Sequence, residues 1–259
     1  MSPGRPRILM YHSISRLEDD PNRLCTSPER FEAQMRHLKR HGLRGVSMRE
    51  LRRAIDAGSV KGLVGLTFDD GYQDFLHYAL PVLERLGFSA TVFAVAGMLG
   101  RTNDWEHHQE PRPRLQLLGA DGLREVSERG MEVGSHTMNH LSLPGLEPEL
   151  LEEEVGNSRY TLGELLGQTV EGFCYPYGAI DSNAIEAVRR THYGYGCSIF
   201  VRVERSTYDL PRLDVAERDS PSRLAAKLKI FSGYLAVKKG YHAVREIYPT
   251  RGGFVSWFH

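Results

Sequence analysis

Short apolar runs alternate with amphipathic segments along most of the chain. The apolar runs have the length of β-strands, and the segments between them repeat apolar positions at helical spacing. Strands that alternate with helices in this way are typical of parallel β/α units. The predicted strands are Ile8–Tyr11, Leu63–Phe68, Ala90–Val95, Met131–Val133 and Gly172–Tyr175.

Two of the predicted helices have well-marked starts. Ser27 precedes Pro28, and helical spacing then continues to Gly42, so an N-cap, a first-turn proline and a glycine stop frame one helix. Ser47 and Glu50 have the spacing of a capping box, in which the hydroxyl and the carboxylate each satisfy a backbone N–H. The remaining predicted helices cover 78–86, 122–129, 148–166, 183–190 and 222–237.

The chain departs from this alternation at two places. Residues 97–118 show neither period and predict a long loop over one face of the domain. After Val215 the alternation stops, and residues 222–237 form a basic amphipathic segment. Such a segment can lie on a membrane, but packing against its own domain is the commoner reason for the pattern. We therefore predict a single domain over 1–259, with 219–259 as a helical C-terminal extension packed on it.

Composition limits the classes of partner. The 259 residues are 41% hydrophobic and 25% charged, as in an ordinary globular protein. Lysine plus arginine and aspartate plus glutamate number 33 each, so no net positive field attracts nucleic acid or an anionic membrane. No stretch approaches the roughly 18 apolar residues of a membrane span. We expect no nucleic-acid partner and no membrane span, and the sequence points to no protein partner.

Cysteine usage and the N-terminus bear on the compartment. Cys25, Cys174 and Cys197 are odd in number, widely spaced and without a CxxC pair, which indicates neither a disulfide framework nor a thiolate zinc cluster. The N-terminus has only about three consecutive apolar residues before Tyr11, too few for the hydrophobic region of a signal peptide. These features predict a cytoplasmic location.

Two polar clusters directly follow predicted strands. Asp69 and Asp70 come after the Leu63–Phe68 strand, and two adjacent carboxylates repel each other when buried unless a metal or a proton intervenes. His136 and His140 follow the next but one strand and can converge on one metal from a tight loop. One carboxylate and two imidazoles leave a zinc ion with an open position for water. Each pattern alone is common in turns and on surfaces, so it is their combination at strand ends that predicts a hydrolytic metal site.

A third cluster, Phe173-Cys-Tyr-Pro-Tyr-Gly178, predicts a turn that leaves a strand with Tyr177 at its tip. With the Thr67-Phe-Asp-Asp-Gly71 and His136-Thr-Met-Asn-His140 segments, it makes the chain resemble the polysaccharide deacetylase family, carbohydrate esterase family 4, or NodB-homology domain. The resemblance spans roughly Ile8 to Val215. It implies an α/β fold, a distorted or incomplete (β/α)7 barrel, and a bound divalent metal.

The resemblance also implies roles for individual residues. Asp69 would be the general base, and the backbone N–H of Tyr177 would help to bind the oxyanion. Asp70, His136 and His140 would hold one divalent metal ion, Zn²⁺, with Co²⁺ or Ni²⁺ as alternatives.

Two departures from the family pattern matter for catalysis. Where the third motif usually has an arginine that holds the base, this chain has Cys174; Arg212, in a segment similar to that of members that also lack the arginine, is the candidate replacement. The family's usual general acid is a histidine in a C-terminal apolar segment, a context that His242 and His259 lack. His12 follows the first strand in a sequence that resembles the opening of permuted poly-N-acetylglucosamine deacetylases, which makes it the candidate acid.

The substrate-binding wall is predicted less directly. The family's Asp-x-x-Asp-Trp segment is not evident in this chain. Tyr72, Trp105 and Pro176 are the candidate substrate-binding residues, with Trp105 carried by the long loop.

These features predict a metal-dependent N-deacetylase that hydrolyses the acetamide of an N-acetyl amino sugar or glycoconjugate and releases acetate and a free amine. One alternative is a deacetylase or deformylase of a small N-acylated metabolite or nucleotide sugar. Another is a sugar-binding module that kept the fold without turnover. A related branch of the fold opens cyclic amides, but the complete metal set argues against its metal-free members. A cytoplasmic location favours a soluble substrate over chitin or peptidoglycan.

Overall fold

The computed structural model of the protein describes residues 6–17, 20, 24–105, 114–199 and 206–230. Within these ranges the strands are β1 (Ile8–Tyr11), β2 (Arg44–Val46), β3 (Leu63–Phe68), β4 (Thr91–Ala94), β5 (Glu132–Ser135), β6 (Gly172–Cys174), β7 (Tyr195–Ser198), β8 (Leu210–Pro211) and β9 (Leu213–Asp214). The α-helices are α1 (Pro28–Arg40), α2 (Met48–Asp56), α3 (Leu80–Leu86), α4 (Ala120–Glu128), α5 (Pro148–Glu152), α6 (Ser158–Leu166), α7 (Ser182–Arg190) and α8 (Pro221–Lys229).

The strands form a nearly closed parallel barrel. They follow one path in the order β8-β7-β6-β5-β4-β3-β1-β9, and β2 pairs with β3 beside this path. Ser198 of β7 pairs with Pro211, and Leu9 of β1 pairs with Leu213, so the two open edges meet at the segment that carries β8 and β9. We count β8 and β9 together as one strand position of the barrel and call it the closing stave. The barrel then has seven such positions, or staves, around its axis. The predicted distorted (β/α)7 barrel is confirmed.

The predicted strands differ in how well their limits agree with the structure. β1 and β3 begin and end at the predicted residues, because each is a continuous apolar run. The sequence did not predict β2, β7, β8 or β9, which have two to four residues each; the first three also contain Gly45, Gly196 and Pro211, respectively. Runs this short are held by their neighbours in the barrel and leave no period of their own to recognise.

Two predicted helices contain π-helical turns. The helix predicted over 148–166 consists of α5 and α6 joined by a π turn at Glu153–Asn157. The helix predicted over 78–86 begins earlier, with a π turn at Phe75–Ala79 that leads into α3. Such turns are often found at functional sites, and both of these connect to loops of the barrel rim.

The predicted helix caps form, with one correction. The Ser27 hydroxyl accepts a hydrogen bond from the N–H of Arg30, and that of Ser47 accepts one from the N–H of Glu50. The reciprocal half of the capping box is wrong, because the N–H of Ser47 donates to the Ser89 hydroxyl instead. That hydroxyl in turn donates to the Glu50 carboxylate. A tertiary neighbour has therefore taken the place of the local partner.

The C-terminal helix packs on the barrel as far as the structure describes it. Leu224 and Leu228 of α8 are buried, and the Lys227 ammonium donates to the Asp219 carboxylate at 2.7 Å. Residues 231–259 of the predicted extension lie outside the described residues. In the described part of the chain, every helix is too short or too polar to cross a membrane.

Candidate active site

The parallel strands deliver the candidate residues to one rim of the barrel. His12 follows β1, Asp69 and Asp70 follow β3, and the segment from His136 to His140 begins at the end of β5. A 3-10 turn, Pro176–Gly178, follows β6. Because parallel strands end on the same face, these residues converge although they are far apart in the sequence.

Asp69 is held by a buried arginine. The Arg212 guanidinium donates from Nη1 to Oδ1 of Asp69 at 2.6 Å and from Nη2 to Oδ2 at 2.8 Å. Arg212 is fully buried, and it also donates to the Thr67 hydroxyl and to the carbonyl of Ser198. A bidentate pair of this kind fixes the plane of the carboxylate as well as its charge. The structure thus brings Arg212 and Asp69 together as the sequence predicts.

Cys174 lies beside this pair. Its Sγ is 3.1 Å from Nη2 of Arg212 and 3.5 Å from Oδ2 of Asp69. Burial raises the pKa of the Cys174 thiol, so the group stays neutral beside the carboxylate. The Cys174 side chain is short, and the Arg212 guanidinium, which comes from the segment between β8 and β9, contacts it on the way to Asp69.

Asp70 faces two imidazoles. Its Oδ1 is 3.4 Å from Nε2 of His136 and 3.3 Å from Nε2 of His140, and all three side chains are buried. This Oδ1 has no hydrogen-bond partner among the described residues. A buried carboxylate oxygen without a partner costs free energy unless a cation satisfies it. The donor set therefore fits a divalent metal ion, since all three potential ligand atoms lie within 4.8 Å of one another.

A second group could also hold a metal by distance alone. Potential ligand atoms of Asp69, His136 and Cys174 lie within 4.8 Å of one another. Both oxygens of Asp69, however, already accept hydrogen bonds from the Arg212 guanidinium, whose positive charge repels a cation. The Asp70 group is the better candidate for this reason.

Electrostatics keep both aspartates ionised. Burial opposes ionisation of Asp69, but the Arg212 guanidinium outweighs it and holds the pKa of that carboxyl below its usual value. Burial also opposes ionisation of Asp70, yet the two imidazoles hold its pKa well below the usual range. Burial lowers the pKa of His140, which favours the neutral imidazole that can bind a metal.

Unusual backbone conformations concentrate at this rim. Five non-glycine residues of the described chain have a left-handed φ, and four of them are Asp70 (70°), Thr137 (68°), His140 (60°) and Tyr177 (60°). Each such residue costs on the order of 1–3 kcal/mol, which the surrounding structure must offset. Part of that support is local, because the Thr137 hydroxyl accepts a hydrogen bond from the N–H of His140.

A buried glutamate supports the loop between the two imidazoles, and the sequence analysis missed it. Glu154 accepts hydrogen bonds from the N–H and the side-chain amide of Asn139, at 3.0 and 2.7 Å, and its carbonyl accepts one from the N–H of Met138. The sequence does hold one indication of its burial. Glu154 falls on the same side of the helix as the apolar Leu151 and Val155, both of which are buried.

His12 lies at the edge of the same cluster. Its Nε2 is 4.0 Å from Oδ2 of Asp69. The segment that follows is fixed by Asp74, which accepts hydrogen bonds from the N–H of Ile14 and the hydroxyl of Ser13. The sequence analysis missed Asp74 too, although it lies shortly after the Asp-Asp-Gly motif.

The candidate substrate-binding residues occupy different positions around the imidazoles. Tyr72 is buried, and its hydroxyl accepts a hydrogen bond from the Asn103 amide at 3.3 Å. Trp105 is 6% exposed and stacks on His140. Pro176 is buried at the start of its turn, whereas Tyr177 is 42% exposed. Their part in substrate binding stays a prediction. His107, His108, His242 and His259 lie outside the described residues.

Comparison with known proteins gives the family. The family model described as polysaccharide deacetylase matches residues 57–196. The chain belongs to the polysaccharide deacetylase family. The matched range includes Asp69, Asp70, the two imidazoles and Tyr177, whereas His12 and Arg212 lie outside it.

Individual relatives match over longer parts of the chain than the family model does. The protein YxkH of Bacillus subtilis (strain 168), which is named after the polysaccharide deacetylases, is 30% identical over 88% of this chain and 77% of its own length. A poly-beta-1,6-N-acetyl-D-glucosamine N-deacetylase of Staphylococcus epidermidis is 26% identical, over 73% of this chain and 67% of its own. The solved Streptococcus pyogenes deacetylase PplD, in complex with acetate, has a TM-score of 0.76 and 25% identity, with 88% of this chain and 99% of that one covered. The predicted family resemblance is confirmed.

Proposed function

We propose that the protein is a metal-dependent N-deacetylase that hydrolyses the acetamide of an N-acetyl amino sugar unit. The observation that carries this proposal is that two adjacent aspartates have different surroundings. Asp69 is ionised and oriented by Arg212, while Asp70 faces two imidazoles with an oxygen that no hydrogen-bond donor of the described residues reaches. An oriented base beside a candidate metal set is what amide hydrolysis by water requires.

The proposed mechanism assigns one task to each group. Asp70, His136 and His140 would hold the divalent ion, proposed to be Zn²⁺, which when bound polarises the acetamide carbonyl and makes a nearby water more acidic. Asp69 accepts the proton of the attacking water at its carboxylate, whose plane Arg212 keeps fixed. Its low pKa leaves it ionised and available for this at neutral pH.

Two further groups complete the proposed reaction. The backbone N–H of Tyr177 donates to the oxyanion that forms when water attacks the acetamide carbon. His12 donates a proton from Nε2 to the amine nitrogen as the carbon–nitrogen bond breaks, because an amine is a poor leaving group without that proton. Nε2 of His12 is 4.0 Å from Oδ2 of Asp69, so the proposed acid lies beside the proposed base.

The name of one relative supports the proposed substrate class. That relative is named for poly-beta-1,6-N-acetyl-D-glucosamine, a polymer of N-acetylated sugar units. We propose an N-acetylated amino sugar unit as the shared chemistry, with substrate length left to experiment.

Acetate release across a substrate panel tests this proposal. The panel contains N-acetylated monosaccharides and oligosaccharides, a nucleotide sugar, poly-N-acetylglucosamine, chitin and peptidoglycan. We expect acetate from at least one N-acetyl amino sugar substrate, loss of release after chelation, and recovery with Zn²⁺. Release of formate from an N-formyl analogue alone would favour the deformylase alternative. Binding of sugars without any turnover by the metal-loaded protein would favour the sugar-binding module.

A further inference from the structure

The His140 imidazole is contacted by aromatic side chains on two sides. The indole of Trp105 stacks on it with ring centroids 4.4 Å apart and an interplanar angle of 18°. The Tyr177 ring meets it edge-on at 4.8 Å, and the Tyr177 hydroxyl forms a hydrogen bond with its Nδ1 at 3.1 Å. These contacts leave Nε2 as the ring nitrogen that faces Asp70.

The two imidazoles of the candidate metal set have unequal support. Nδ1 of His136 is 2.8 Å from the carbonyl oxygen of Cys174, which lies on a barrel strand and is buried. Nδ1 of His140 instead pairs with a hydroxyl on a side chain that is 42% exposed. The partner of the second ring nitrogen fixes the tautomer and orientation of a metal-binding histidine. The position of His140 therefore depends on side chains that the barrel does not hold directly.

The structure around Trp105 shows how the indole is kept in place. The Asn103 side chain accepts a hydrogen bond from the N–H of Leu115 at 2.8 Å and donates to the Tyr72 hydroxyl. The N–H of Trp105 donates to the carbonyl of Asn103. The N–H of Leu118 donates to the carbonyl of Gly71, next to Asp70. The base of this loop is thus tied to the Asp-Asp-Gly segment.

We propose that Trp105 and Tyr177 are positioning residues that clamp His140 from two sides and thereby set the affinity of the site for its divalent ion. The inference rests on the proposed function, because it takes Asp70, His136 and His140 to be the metal ligands. It gives Trp105 a role in the metal site in addition to the role in substrate binding that the sequence predicts.

Cobalt binding to the whole chain tests the clamp without any substrate. Metal-free protein is titrated with Co²⁺, and the visible absorption of the bound ion gives the dissociation constant. Tyr177→Phe keeps the ring and the backbone but removes the hydroxyl, and we expect it to weaken Co²⁺ binding by about 10- to 100-fold. Trp105→Phe keeps an aromatic face and should weaken binding less than Trp105→Ala. Tyr160→Phe, at a tyrosine that is 69% exposed on α6, is the matched control and should bind as the wild type does.

Fluorescence gives a second measurement that depends on the stacking itself. The chain has two tryptophans, Trp105 and Trp257. In a Trp257→Phe background, Trp105 is the single emitter, and Co²⁺ binding at the imidazole stacked on it should quench the emission. The quenching should follow the same binding curve as the visible absorption.

The outcomes separate this inference from the proposed function. If the wild type binds Co²⁺ and both Tyr177→Phe and Trp105→Ala bind it with the wild-type constant, the clamp is wrong while the metal site stands. If the wild type takes up no divalent ion, the proposed function fails together with the clamp. Circular dichroism and thermal unfolding of the metal-free variants complete the test, because weaker Co²⁺ binding counts in support only where the fold matches the wild type.

Discussion

Asp69 and Asp70 are adjacent and equally buried, yet the two sides of the site that they face are built differently. On the Arg212 side, the positive guanidinium of Arg212 donates two hydrogen bonds to the negative carboxylate of Asp69. On the imidazole side, an oxygen of Asp70 lacks a hydrogen-bond partner within the part of the chain that the structure describes, and Asp70 and His140 both have left-handed backbone. On the Arg212 side, a cationic side chain balances the carboxylate. On the imidazole side, one carboxylate and two imidazoles have the composition of a site that binds a cation.

The largest predicted effect comes from neutralising each aspartate in turn. Asp70→Asn and Asp69→Asn should each lower kcat by up to about 10⁴-fold, because one removes a proposed metal ligand and the other the proposed base. Metal content should separate them: Asp69→Asn retains about one ion per chain, and Asp70→Asn loses it. Elemental analysis after purification without chelator measures this. Equal metal content in the two variants would remove the contrast between the two sides.

The next prediction concerns His12, the proposed acid, whose Nε2 is 4.0 Å from Oδ2 of Asp69. His12→Ala should retain the metal and the fold and lose roughly 10²- to 10⁴-fold in kcat, the range usual for a general acid. His242→Ala and His259→Ala serve as controls and should retain activity. Near wild-type turnover by His12→Ala, with loss in either control, would move the acid to the C-terminal segment.

Replacement of Arg212 should change both the rate of the reaction and the stability of the protein. Arg212→Ala should lower kcat by about 10- to 1,000-fold with little loss of metal, since positioning acts on the transition state. It also leaves Asp69 buried without its partner, which costs about 3–5 kcal/mol in the free energy of unfolding. Arg129→Ala, which removes two ion pairs at the surface, with Glu84 and Glu125, should cost about 1 kcal/mol or less in the same urea titration. Retention of stability by Arg212→Ala together with loss of metal would mean that Arg212 supports the other side.

The smallest predicted effect is on acid stability of the metal-free protein. The pKa values of Asp69 and Asp70 are both lowered in the folded state, so their contribution to stability is present above the ordinary aspartate pKa of about 3.9 and declines as the pH falls below it. Urea unfolding between pH 6 and pH 3 should therefore show a steeper fall for the wild type than for Asp70→Asn. Parallel pH profiles for the two proteins would contradict a lowered pKa at Asp70.

The sequence predicted those parts of the site that are marked by their own residues. Asp69, Asp70, His136 and His140 each follow an apolar run whose end can be located, so their convergence followed from the parallel barrel. Arg212 was predicted only through family resemblance, because its stave is too short to show a period.

The supporting residues could not be predicted in the same way. Asp74 and Glu154 act through hydrogen bonds to segments 60 and 15 positions away, and local sequence can suggest that Glu154 faces inward but not which groups it contacts. The Glu50 carboxylate was assigned to a local cap, but Ser89, 39 positions away, donates to it instead. Local patterns predict which elements form, while the partners of polar side chains depend on tertiary packing.

The closing stave has a consequence for how an active molecule is assembled. Asp69 and Arg212 lie 143 positions apart, and Arg212 occupies the stave that joins the two open edges of the sheet. Contacts across such distances form late and slowly in folding. During synthesis, the proposed metal ligands leave the ribosome before Arg212, because Asp70, His136 and His140 precede it in the sequence. Asp69 gains its arginine partner only when the segment that closes the barrel is in place, so a partly made chain has the proposed metal ligands without the guanidinium that orients the proposed base.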